Sequence, residues 1–600
     1  MNYRSKVNLA SASLLSIALS QTLSCQKRNY NNAKPSSDSL FLNDSRVEND
    51  EMYFPKSTDL EDSDELKPTI DEQIIEANKK FTKVQICRDY ELAIHSLALI
   101  QAPVGRSGNN IDNATYKELL NSCPDTYVEV ARKIRMLQRK LLDYHTMFNE
   151  TQLSHTVLPM IETCDNPSLC GNFVGAPLVP LIVEQGVGAY FTAYDKKGMQ
   201  NVWRMLDFNG HSEEFLFNDM VSRDAKSHSM YGNAGLLGID LFYKSPLDLP
   251  IDKMNITVKN IETSEIAHLT AVYGKKRLIN LPKKPKSFDF HRQFQINRDF
   301  GCKKIMPDSN DTVGSCLLEN DRGLVWISSF SGDRIAPQVM NTFRILVRQA
   351  PEVKNKPIVL DLRGNGGGDP ELAAMVACTI GNEGVSQQIE NRELHPSIWP
   401  EKFKLSDGTI LKSKDLEREG NRDLFRFTKG RVADSLAPDS TRNEYKIGFY
   451  ERNKRNTLSG PARCAEFHSK EMNFKGVYVL TSGQEFSATE NFLSFISPVD
   501  KTFRIVGWRS KGGTGAPLYI TLPETKMKLR LSQARHLDKL TGLWPIEAVG
   551  VHEDIKINSF DQQIFEKWVV QKLAKNRGQP SQPQAPSILT KALQLPDFGG

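Results

Sequence analysis

The sequence carries little net charge and few signatures that would identify a binding protein directly. Its 600 residues include 77 Lys and Arg against 72 Asp and Glu, a net charge of +5, which is too small to indicate a nucleic-acid-binding surface. It has no zinc-type cysteine spacing and no His-Glu-x-x-His, so we expect no metal and no cofactor. It also has no internal repeat. The composition, 39% hydrophobic, 25% charged and 8% aromatic, excludes a wholly disordered chain, a collagen and a multi-span membrane protein.

The N-terminal segment has the pattern of a secretory signal. Two basic residues precede an apolar stretch over 7–19 that is too short to span a bilayer, and small residues follow it. We predict a signal peptide over 1–24. Cleavage before Cys25 would allow lipidation of that cysteine, whereas Ala18-Leu-Ser20 is compatible with an ordinary cleavage site. We therefore expect an exported protein that is periplasmic, secreted, or attached to a membrane through a lipidated Cys25.

The cysteine count fits an exported protein. The chain has nine cysteines, and without Cys25 eight remain, an even number in a compartment that permits disulfides. Short separations favour the pairs Cys164–Cys170 and Cys302–Cys316. The sequence does not fix the other pairs.

Composition and periodicity divide the rest of the chain. Residues 25–70 are polar and are expected to form a disordered tether. Val130, Ile134, Leu137 and Leu141 form one apolar stripe, which is typical of an amphipathic helix. The predicted regions are a helical region over 71–165, a small β-rich module over 172–275, an α/β core over 310–380 and 472–556, an insertion over 381–471 that interrupts this core, and a C-terminal helix with a loose tail over 557–600.

The α/β core is predicted from alternating apolar runs and helical periodicity. Helices are expected over 337–350 and 370–379 and from residue 487 onward, with Val339, Phe343, Leu346 and Val347 on one face of the first. A run of four or more apolar residues is typical of a strand that is buried on both faces. Strands are expected over 324–330, 358–362, 477–480 and 504–507.

A glycine-rich turn, Gly364-Asn-Gly-Gly-Gly-Asp369, follows the second of these strands. Glycines at such a place let backbone N–H groups approach a phosphate, a nucleotide or an oxyanion closely. The run lacks the Gly-x-Gly-x-x-Gly spacing of a dinucleotide site and the lysine of a P-loop, so both nucleotide interpretations are disfavoured. An oxyanion site and a tight structural turn remain.

Ser487 lies between a predicted strand and a predicted helix. A serine there is ordinarily a helix N-cap, and Glu490, three residues later, would complete a capping box. The same geometry also suits a nucleophile, because the hydroxyl is exposed and the backbone N–H of Ala488 points toward a developing oxyanion. Both interpretations are compatible with the residues taken alone.

Four segments together resemble a known family. They are Leu141-Leu-Asp-Tyr-His-Thr-Met-Phe148, Ile358-Val-Leu-Asp-Leu-Arg-Gly-Asn-Gly-Gly-Gly368, Val479-Leu-Thr-Ser-Gly-Gln-Glu-Phe-Ser-Ala-Thr-Glu490 and Trp544-Pro-Ile-Glu-Ala-Val-Gly-Val-His-Glu-Asp554. The order is similar to that of the tail-specific, or carboxyl-terminal processing, serine proteases, and closer to their tricorn core protease branch. The chain departs from the family at His552 and Glu553, and the insertion matches nothing in it.

The resemblance implies a fold and an activity. The fold would be an α/β, ClpP/crotonase-like catalytic core with an N-terminal helical region and a small PDZ-like module, for which Leu206-Asp-Phe-Asn-Gly-His211 is a weak match. Such a module would bind an extended peptide by β-augmentation. The activity would be that of an exported serine endopeptidase that hydrolyses polypeptides through an acyl-enzyme. An inactive peptide-binding relative and a crotonase-like acyl-CoA enzyme are the alternatives.

The resemblance also implies roles for individual residues. Ser487 would be the nucleophile, with Ser482 as its nearest competitor, and the oxyanion donors would be the N–H of Gly366 or Gly367 together with that of Ala488. His145 would be the base, ahead of His155 in a similar Ser-His-Thr segment. Glu547 would orient the base.

Lys511 is the alternative base, because the processing proteases use a lysine about two dozen residues after the serine. The position of that lysine aligns better with Gly513. A lysine base must also lose its charge through burial, and Lys511, between Ser510 and Gly512, shows no apolar surroundings in the sequence. The prediction is a Ser-His-Glu triad.

Overall fold

The computed structural model of the chain describes residues 70–101, 113–139, 141, 146–153, 160–165, 179–183, 186–194, 200–224, 247, 253–272, 302–331, 335–381, 383–390, 392–396, 398–400, 402–412, 416, 425–428, 445–450, 464, 472, 474–497, 502–513, 517–532, 534–538, 546, 549–556, 566–567, 569–571 and 573–574. These residues all belong to one unit that spans Arg46–Gly600. The predicted signal peptide over 1–24, Cys25 and the predicted tether, except for residue 70, lie outside the described residues.

The described part of the chain contains both helices and strands. The helices are α1 Ile70–Lys79, α2 Lys83–Gln101, α3 Asn113–Leu120, α4 Tyr127–Arg139, α5 Glu213–Asp224, α6 Ile335–Gln349, α7 Pro370–Ile380, α8 Glu383–Glu390 and α9 Ala488–Ile496. The strands are β1 Met147–Asn149, β2 Met160–Cys164, β3 Val179–Val183, β4 Gly186–Tyr194, β5 Gln200–Phe208, β6 Lys253–Asn260, β7 Ile266–Val272, β8 Cys302–Ile305, β9 Val313–Leu318, β10 Gly323–Ile327, β11 Ile358–Asp361, β12 Arg392–Pro396, β13 Ile398–Pro400, β14 Lys402–Lys404, β15 Ile410–Lys412, β16 Phe425–Thr428, β17 Tyr445–Tyr450, β18 Val477–Leu480, β19 Phe503–Gly507, β20 Pro517–Thr521, β21 Lys528–Ser532, β22 Ala534–Asp538 and β23 Ile555–Lys556.

A mixed sheet of seven of the described strands, which we call the core sheet, has the order β23-β19-β18-β11-β10-β9-β8. Strands β10, β11, β18, β19 and β23 are parallel to their neighbours in that group, and β9 and β8 continue the sheet in antiparallel pairing. All residues of β11 and β18 are buried. This burial agrees with the apolar runs from which the two strands were predicted.

Four of the described helices, α6 to α9, pack into the core of this sheet, and α8 contributes Val385 and Ile389. The predicted face of α6, with Val339, Phe343, Leu346 and Val347, is buried. α6 begins at residue 335, so Pro337 is its third residue and not its first. α7 follows the glycine-rich turn directly, and every residue of α9 is buried.

The predicted helical region is helical over α1 to α4, and the stripe Val130, Ile134, Leu137 and Leu141 is buried. Its last part differs from the prediction, because β1 and β2 are strands. β2 pairs with β7 and so joins the sheet β2-β7-β6-β5-β4-β3, which is antiparallel throughout. A run of five residues is too short for periodicity to distinguish helix from strand, and the partner of β2 lies far along the chain.

The insertion over 381–471 is attached to the rest of the chain at several described places, beginning with α8, which packs into the core of the core sheet. A disulfide joins Cys378 in α7 to Cys464. Strand β12 pairs with β22, and the hairpin β14–β15 contacts α2, where Ser406 donates its N–H and hydroxyl to Glu91 and Arg88 pairs with Asp407. The described parts of the insertion are thus built into the fold.

A second hydrophobic core, the helical core, combines distant parts of the chain. It contains buried residues of α1 to α4 together with side chains from the insertion and from the hairpin β20–β21. The contributors from outside the helices include Phe403, Leu405, Leu416, Ile520, Leu522, Met527, Leu529 and Leu531.

Three disulfides join described cysteines. The predicted pair Cys302–Cys316 is confirmed, whereas Cys87–Cys123 and Cys378–Cys464 were not singled out. The predicted pair Cys164–Cys170 cannot be compared, because Cys170 lies outside the described residues.

Part of the C-terminal segment is helical. Residues 566–567, 569–571 and 573–574 are in helical conformation, and Val569 and Leu573 are buried. Tyr190 of β4 donates its hydroxyl to Glu566 Oε1 at 2.9 Å. Over the described residues, no helix combines the length and the apolar character that crossing a bilayer requires.

Candidate active site

Three loops meet at one edge of the core sheet because they follow three neighbouring parallel strands. Loop A (362–369) follows β11, loop B (481–487) follows β18, and loop C (508–513) follows β19. The carboxyl ends of parallel strands lie at the same edge, where open α/β sheets ordinarily bind ligands. Loop A carries the glycines and loop B carries Ser487, so the fold brings these two motifs together.

Ser487 occupies the N-cap position of α9 without acting as a cap. Its φ is 57° and its ψ is −120°, and its side chain makes no capping hydrogen bond. A non-glycine residue in such a conformation costs about 1–3 kcal/mol, and strain of this kind clusters at functional sites. Hydrolase nucleophiles occur on sharp strand-to-helix turns of this type, which leave the hydroxyl accessible. The capping interpretation of Ser487 is therefore wrong.

Glu490 is not the partner of a capping box either. Its carboxylate accepts hydrogen bonds from Ser510 Oγ at 2.6 Å, Gly512 N at 2.6 Å and Gly513 N at 2.5 Å. Ser510 Oγ in turn accepts from Val551 N at 2.7 Å. Glu490 thus ties the first turn of α9 to loop C.

The glycine-rich turn lies against Ser487. A Cβ at Gly367 would lie 2.7 Å from Ser487 Cβ, 2.9 Å from Ala488 N and 2.6 Å from Phe486 O, and Gly367 has a φ of +107°. Both the space and the conformation require glycine at this position. The resulting close approach is the one expected of an oxyanion loop.

Asn365 fixes the conformation of loop A. Its Oδ1 accepts from Gly367 N at 2.9 Å and from Thr489 Oγ1 at 2.7 Å, and its Nδ2 donates to Ile327 O at 3.0 Å. The N–H of Gly367, one of the predicted oxyanion donors, is therefore already engaged. Among the described residues, the N–H groups of Gly366 and Ala488 have no hydrogen-bond acceptor.

A buried ion pair supports the start of loop A. Arg363 donates from Nε and Nη2 to the two carboxylate oxygens of Asp361, both at 2.8 Å, and neither side chain is exposed. This bidentate pair holds the end of β11 to the first residues of the turn.

The match with a family model follows the same part of the chain. Residues 321–557 match the model described as peptidase family S41. Residues 321–557 therefore belong to peptidase family S41. The resemblance to the tail-specific proteases is thus confirmed, and the chain is a serine peptidase, a hydrolase whose substrates are polypeptides.

Several solved structures are similar to this chain. Mature CPAF has 12% identity over 83% of this chain and 98% of that chain, with a TM-score of 0.48. The photosystem II D1 C-terminal processing protease has 13% identity over 82% and 99%, with a TM-score of 0.32. The tricorn protease has 12% identity over 85% and 36%, with a TM-score of 0.28. No curated protein matches the sequence.

Ser482, the competitor of Ser487 for the role of nucleophile, has a structural role. It is 1% exposed, its Oγ donates to Glu485 Oε1 at 2.8 Å, and the same oxygen accepts from Gly364 N at 3.1 Å. A buried hydroxyl with both functions engaged is not accessible to a substrate. Ser487, by contrast, is partly exposed.

Lys511 has an apolar neighbour that the sequence did not reveal. Its Nζ lies 5.9 Å from the centre of the Phe486 ring, and its N–H donates to Glu485 O at 3.0 Å. One ring contact does not test the prediction that Lys511 lacks the apolar surroundings needed to neutralise it, which stays a prediction. Since Phe486 precedes Ser487 directly, Lys511 of loop C packs against loop B, which carries the predicted nucleophile.

Gly513 is in direct contact with the nucleophile loop. Its carbonyl accepts from Ser487 N at 2.8 Å, and a Cβ at this position would lie 2.3 Å from Phe486 Cε2. No side chain fits there without displacing the ring. The position that aligns with the processing-protease lysine thus has no room for one.

The other predicted residues cannot be compared with the structure. His145, His155 and Glu547 lie outside the described residues. Residues beside two of them are described: Thr146 is buried and its carbonyl accepts from Gln138 Nε2 at 2.5 Å, and Ile546 is buried in the core of the S41 region. The assignments of His145 as base and Glu547 as orienting residue stay predictions.

Sequence reasoning missed the residues that hold the loops together. Asn365 stood inside the quoted motif as an unremarked residue between glycines, and Glu485 stood two residues before Ser487. A carboxylate or carboxamide beside glycines and next to a predicted nucleophile was the available signal, because such side chains commonly accept hydrogen bonds from turn N–H groups.

Proposed function

We propose that this S41 peptidase is an exported serine endopeptidase that hydrolyses polypeptides through an acyl-enzyme on Ser487. The observation that carries the proposal is the conformation of Ser487, a strained and uncapped residue at the start of α9, directly against Gly367. A capping serine would have no need of this conformation.

The proposed reaction begins with attack by Ser487 Oγ on a substrate carbonyl while His145 takes the hydroxyl proton. The N–H groups of Gly366 and Ala488 receive the negative charge of the tetrahedral intermediate. Collapse of the intermediate breaks the peptide C–N bond, and the histidine gives its proton to the leaving amine. Water then hydrolyses the ester with the same base, and Glu547 orients the histidine throughout.

A Ser-His-Glu triad is favoured over a Ser-Lys dyad by the surroundings of Lys511. A lysine base must be uncharged, whereas the ring of Phe486 near Lys511 Nζ stabilises the charged ammonium through a cation–π contact. A histidine base needs no such adjustment near neutral pH.

Export is proposed from the signal-like N-terminus and is supported by the disulfides. Six of the described cysteines form three pairs, and pairs of this kind persist mainly in oxidising compartments. The mature protein would start near Gln21 or Cys25, the latter carrying a lipid anchor. Mass spectrometry of the native N-terminus tests this, and an intact Met1 would contradict it.

We further propose that the antiparallel sheet β2-β7-β6-β5-β4-β3 binds substrate chains by β-augmentation, as a PDZ-like module does. Asn209 and Gly210, from the weakly matching motif, have positive φ in the turn after β5. A peptide-binding role of this kind would supply selectivity for chain ends.

The test compares hydrolysis of an unstructured polypeptide by the purified protein with that by three variants. Ser487→Ala is expected to abolish both turnover and labelling by a fluorophosphonate. His145→Ala is expected to lower kcat by at least about 1,000-fold. Lys511→Ala is expected to retain most of the activity. Hydrolysis by the Ser487→Ala variant would refute the assignment of Ser487 as the nucleophile. Full activity of His145→Ala with none in Lys511→Ala would replace the triad by the dyad.

A further inference from the structure

Glu485 is a buried carboxylate two residues before Ser487. Its side chain has no exposed surface, and within loop B it accepts hydrogen bonds from Ser482 N and Ser482 Oγ on Oε1 and from Gly483 N on Oε2, each at 2.8 Å. Glutamate is almost never fully buried unless it is paired. Its place here therefore needs a specific explanation.

Glu485 also reaches the other two loops of the site. Its Oε1 accepts from Gly364 N in loop A at 3.2 Å, a donor that it shares with Ser482 Oγ. Its main-chain carbonyl accepts from Lys511 N in loop C at 3.0 Å. One residue thus links the glycine-rich turn, the nucleophile loop and the loop that bonds Ser487 N.

The bond to Gly364 is the one with consequences for chemistry. Gly364 has a φ of 71° and begins the turn that places Gly366 and Gly367. Because the turn begins at Gly364, the position of Gly364 determines where the Gly366 N–H lies relative to Ser487. Asn365 fixes the middle of the turn, and Glu485 fixes its beginning.

The carboxylate is held by neutral donors. Among the described residues no cation forms a salt bridge with Glu485, and its partners are three backbone N–H groups and one hydroxyl. Burial raises the pKa of Glu485, and these hydrogen bonds act in the opposite direction. Removing a carboxylate from water without a cation is costly. For stability alone, an apolar residue of similar volume would be the less costly choice.

We propose that Glu485 is a positioning residue for the peptidase reaction, which by bonding Gly364 and loop B sets the distance between Ser487 and the oxyanion donor Gly366 N–H. This inference rests on the proposed function, in which Ser487 is the nucleophile. A displacement of about 1 Å in such a geometry costs about 100-fold in rate, and loss of one oxyanion donor costs about 100- to 1,000-fold in kcat.

The test is Glu485→Gln, which keeps the length of the side chain but replaces an acceptor oxygen with an NH2 group that cannot accept from the N–H donors around it. We expect kcat to fall at least about 10-fold with KM changed less than about 2-fold. Affinity for a peptide boronate, which mimics the tetrahedral intermediate, should fall by the same factor as kcat/KM. A merely stabilising residue would lower the melting temperature and leave these ratios unchanged.

Asp89→Asn is the matched control. Asp89 is also a fully buried carboxylate, and it accepts from Thr525 N and Thr525 Oγ1, both at 2.6 Å, in the helical core. It contacts none of loops A to C, so kcat of this variant should match that of the unmodified protein. A loss of kcat in Asp89→Asn equal to that in Glu485→Gln would overturn the inference.

Ser482→Ala decides the matter if Glu485→Gln does not fold. It removes one donor to Glu485 and one acceptor for Gly364 N while keeping the carboxylate. We expect a kcat loss that is smaller than for Glu485→Gln, with KM unchanged. The inference fails if Glu485→Gln folds and has unaltered kcat. It fails likewise if Ser482→Ala has to be measured instead and has unaltered kcat. In either case an inactive Ser487→Ala variant would still support Ser487 as the nucleophile. Activity in Ser487→Ala would instead refute the proposed function itself.

Discussion

At the scale of single residues, the candidate site depends on two backbone positions that lie against each other. Ser487 has a positive φ without being glycine, and Gly367 has a positive φ and no space for a side chain. The two conformations depend on each other, because the turn at Ser487 brings the Ser487 Cβ against loop A, where only glycine leaves enough space. The close contact brings loop A, which carries the proposed oxyanion donor Gly366, against the turn that carries Ser487 and Ala488.

Gly367→Ala is therefore expected to remove activity out of proportion to its effect on stability. The added methyl group would lie 2.7 Å from Ser487 Cβ, so either loop A or loop B must move, and hydrolysis should fall at least about 100-fold. Gly408→Ala is the matched control, since Gly408 has a φ of +87° with nothing within 4 Å of an added Cβ.

Both glycine variants should lose about 1 kcal/mol of stability from the positive φ. Only Gly367→Ala should lose turnover in the polypeptide assay. Equal activities in the two variants would mean that the contact between Gly367 and Ser487 has no role in the reaction.

The sequence revealed the residues of the site more readily than their partners. Ser487 and the glycine run could be found because each stands in a local pattern. The pattern Ser-x-x-Glu, however, is the same for a capping box and for a nucleophile followed by Glu490, and only the position of loop C distinguishes them. Glu485 was missed because its partners Gly364 and Lys511 become its neighbours only through the pairing of β11, β18 and β19.

At the scale of secondary-structure elements, helix α2 carries a titratable contact with the hairpin β20–β21. Asp89 in α2 accepts from Glu524 N at 3.2 Å and from Thr525 N and Oγ1. Burial raises the pKa of Asp89 from 3.8 to about 6, although these hydrogen bonds lower it. The folded chain therefore holds a proton on Asp89 over a pH range in which the unfolded chain has released it.

The sign of the effect follows from this difference. Stability should fall as the pH rises from about 4 to about 6, by about 3 kcal/mol from Asp89 alone, and should not recover above that range. Asp89→Asn removes this part of the slope. Urea-induced unfolding at about pH 4.5 and pH 7 measures it, and the stability difference between the two pH values should be smaller in the variant.

Other groups that titrate in this range, such as Glu150, whose pKa burial raises to about 7, are the same in both proteins and cancel in the comparison. Identical slopes in the variant and the unmodified protein would contradict the role of Asp89.

At the scale of the whole molecule, the parallel part of the core sheet could be predicted and the helical core could not. Strands β11 and β18 are apolar runs, so their burial is evident in the sequence alone. The insertion and the hairpin β20–β21 complete the helical core through contacts between residues that lie hundreds of positions apart. Local periodicity contains no information on such pairings, and the insertion therefore looked like a separate polar segment.

The composite nature of the helical core predicts that residues 70–165 do not fold alone. Without Phe403 and the β20–β21 side chains, part of the apolar surface of α1 to α4 would face water. The isolated fragment, with its Cys87–Cys123 disulfide formed, should show little protection from hydrogen exchange, whereas the same helices in the full chain should be protected. A stably protected fragment would contradict this prediction.

The shared core also sets an order of events during synthesis. A ribosome makes α1 to α4 several hundred residues before the residues over 520–531 that close their core. Until then the four helices lack a complete apolar core, and short helices without tertiary packing are only marginally stable in water. The helical core would therefore stay incomplete for most of the synthesis of the chain, and the peptidase would mature only after the hairpin β20–β21 had been made.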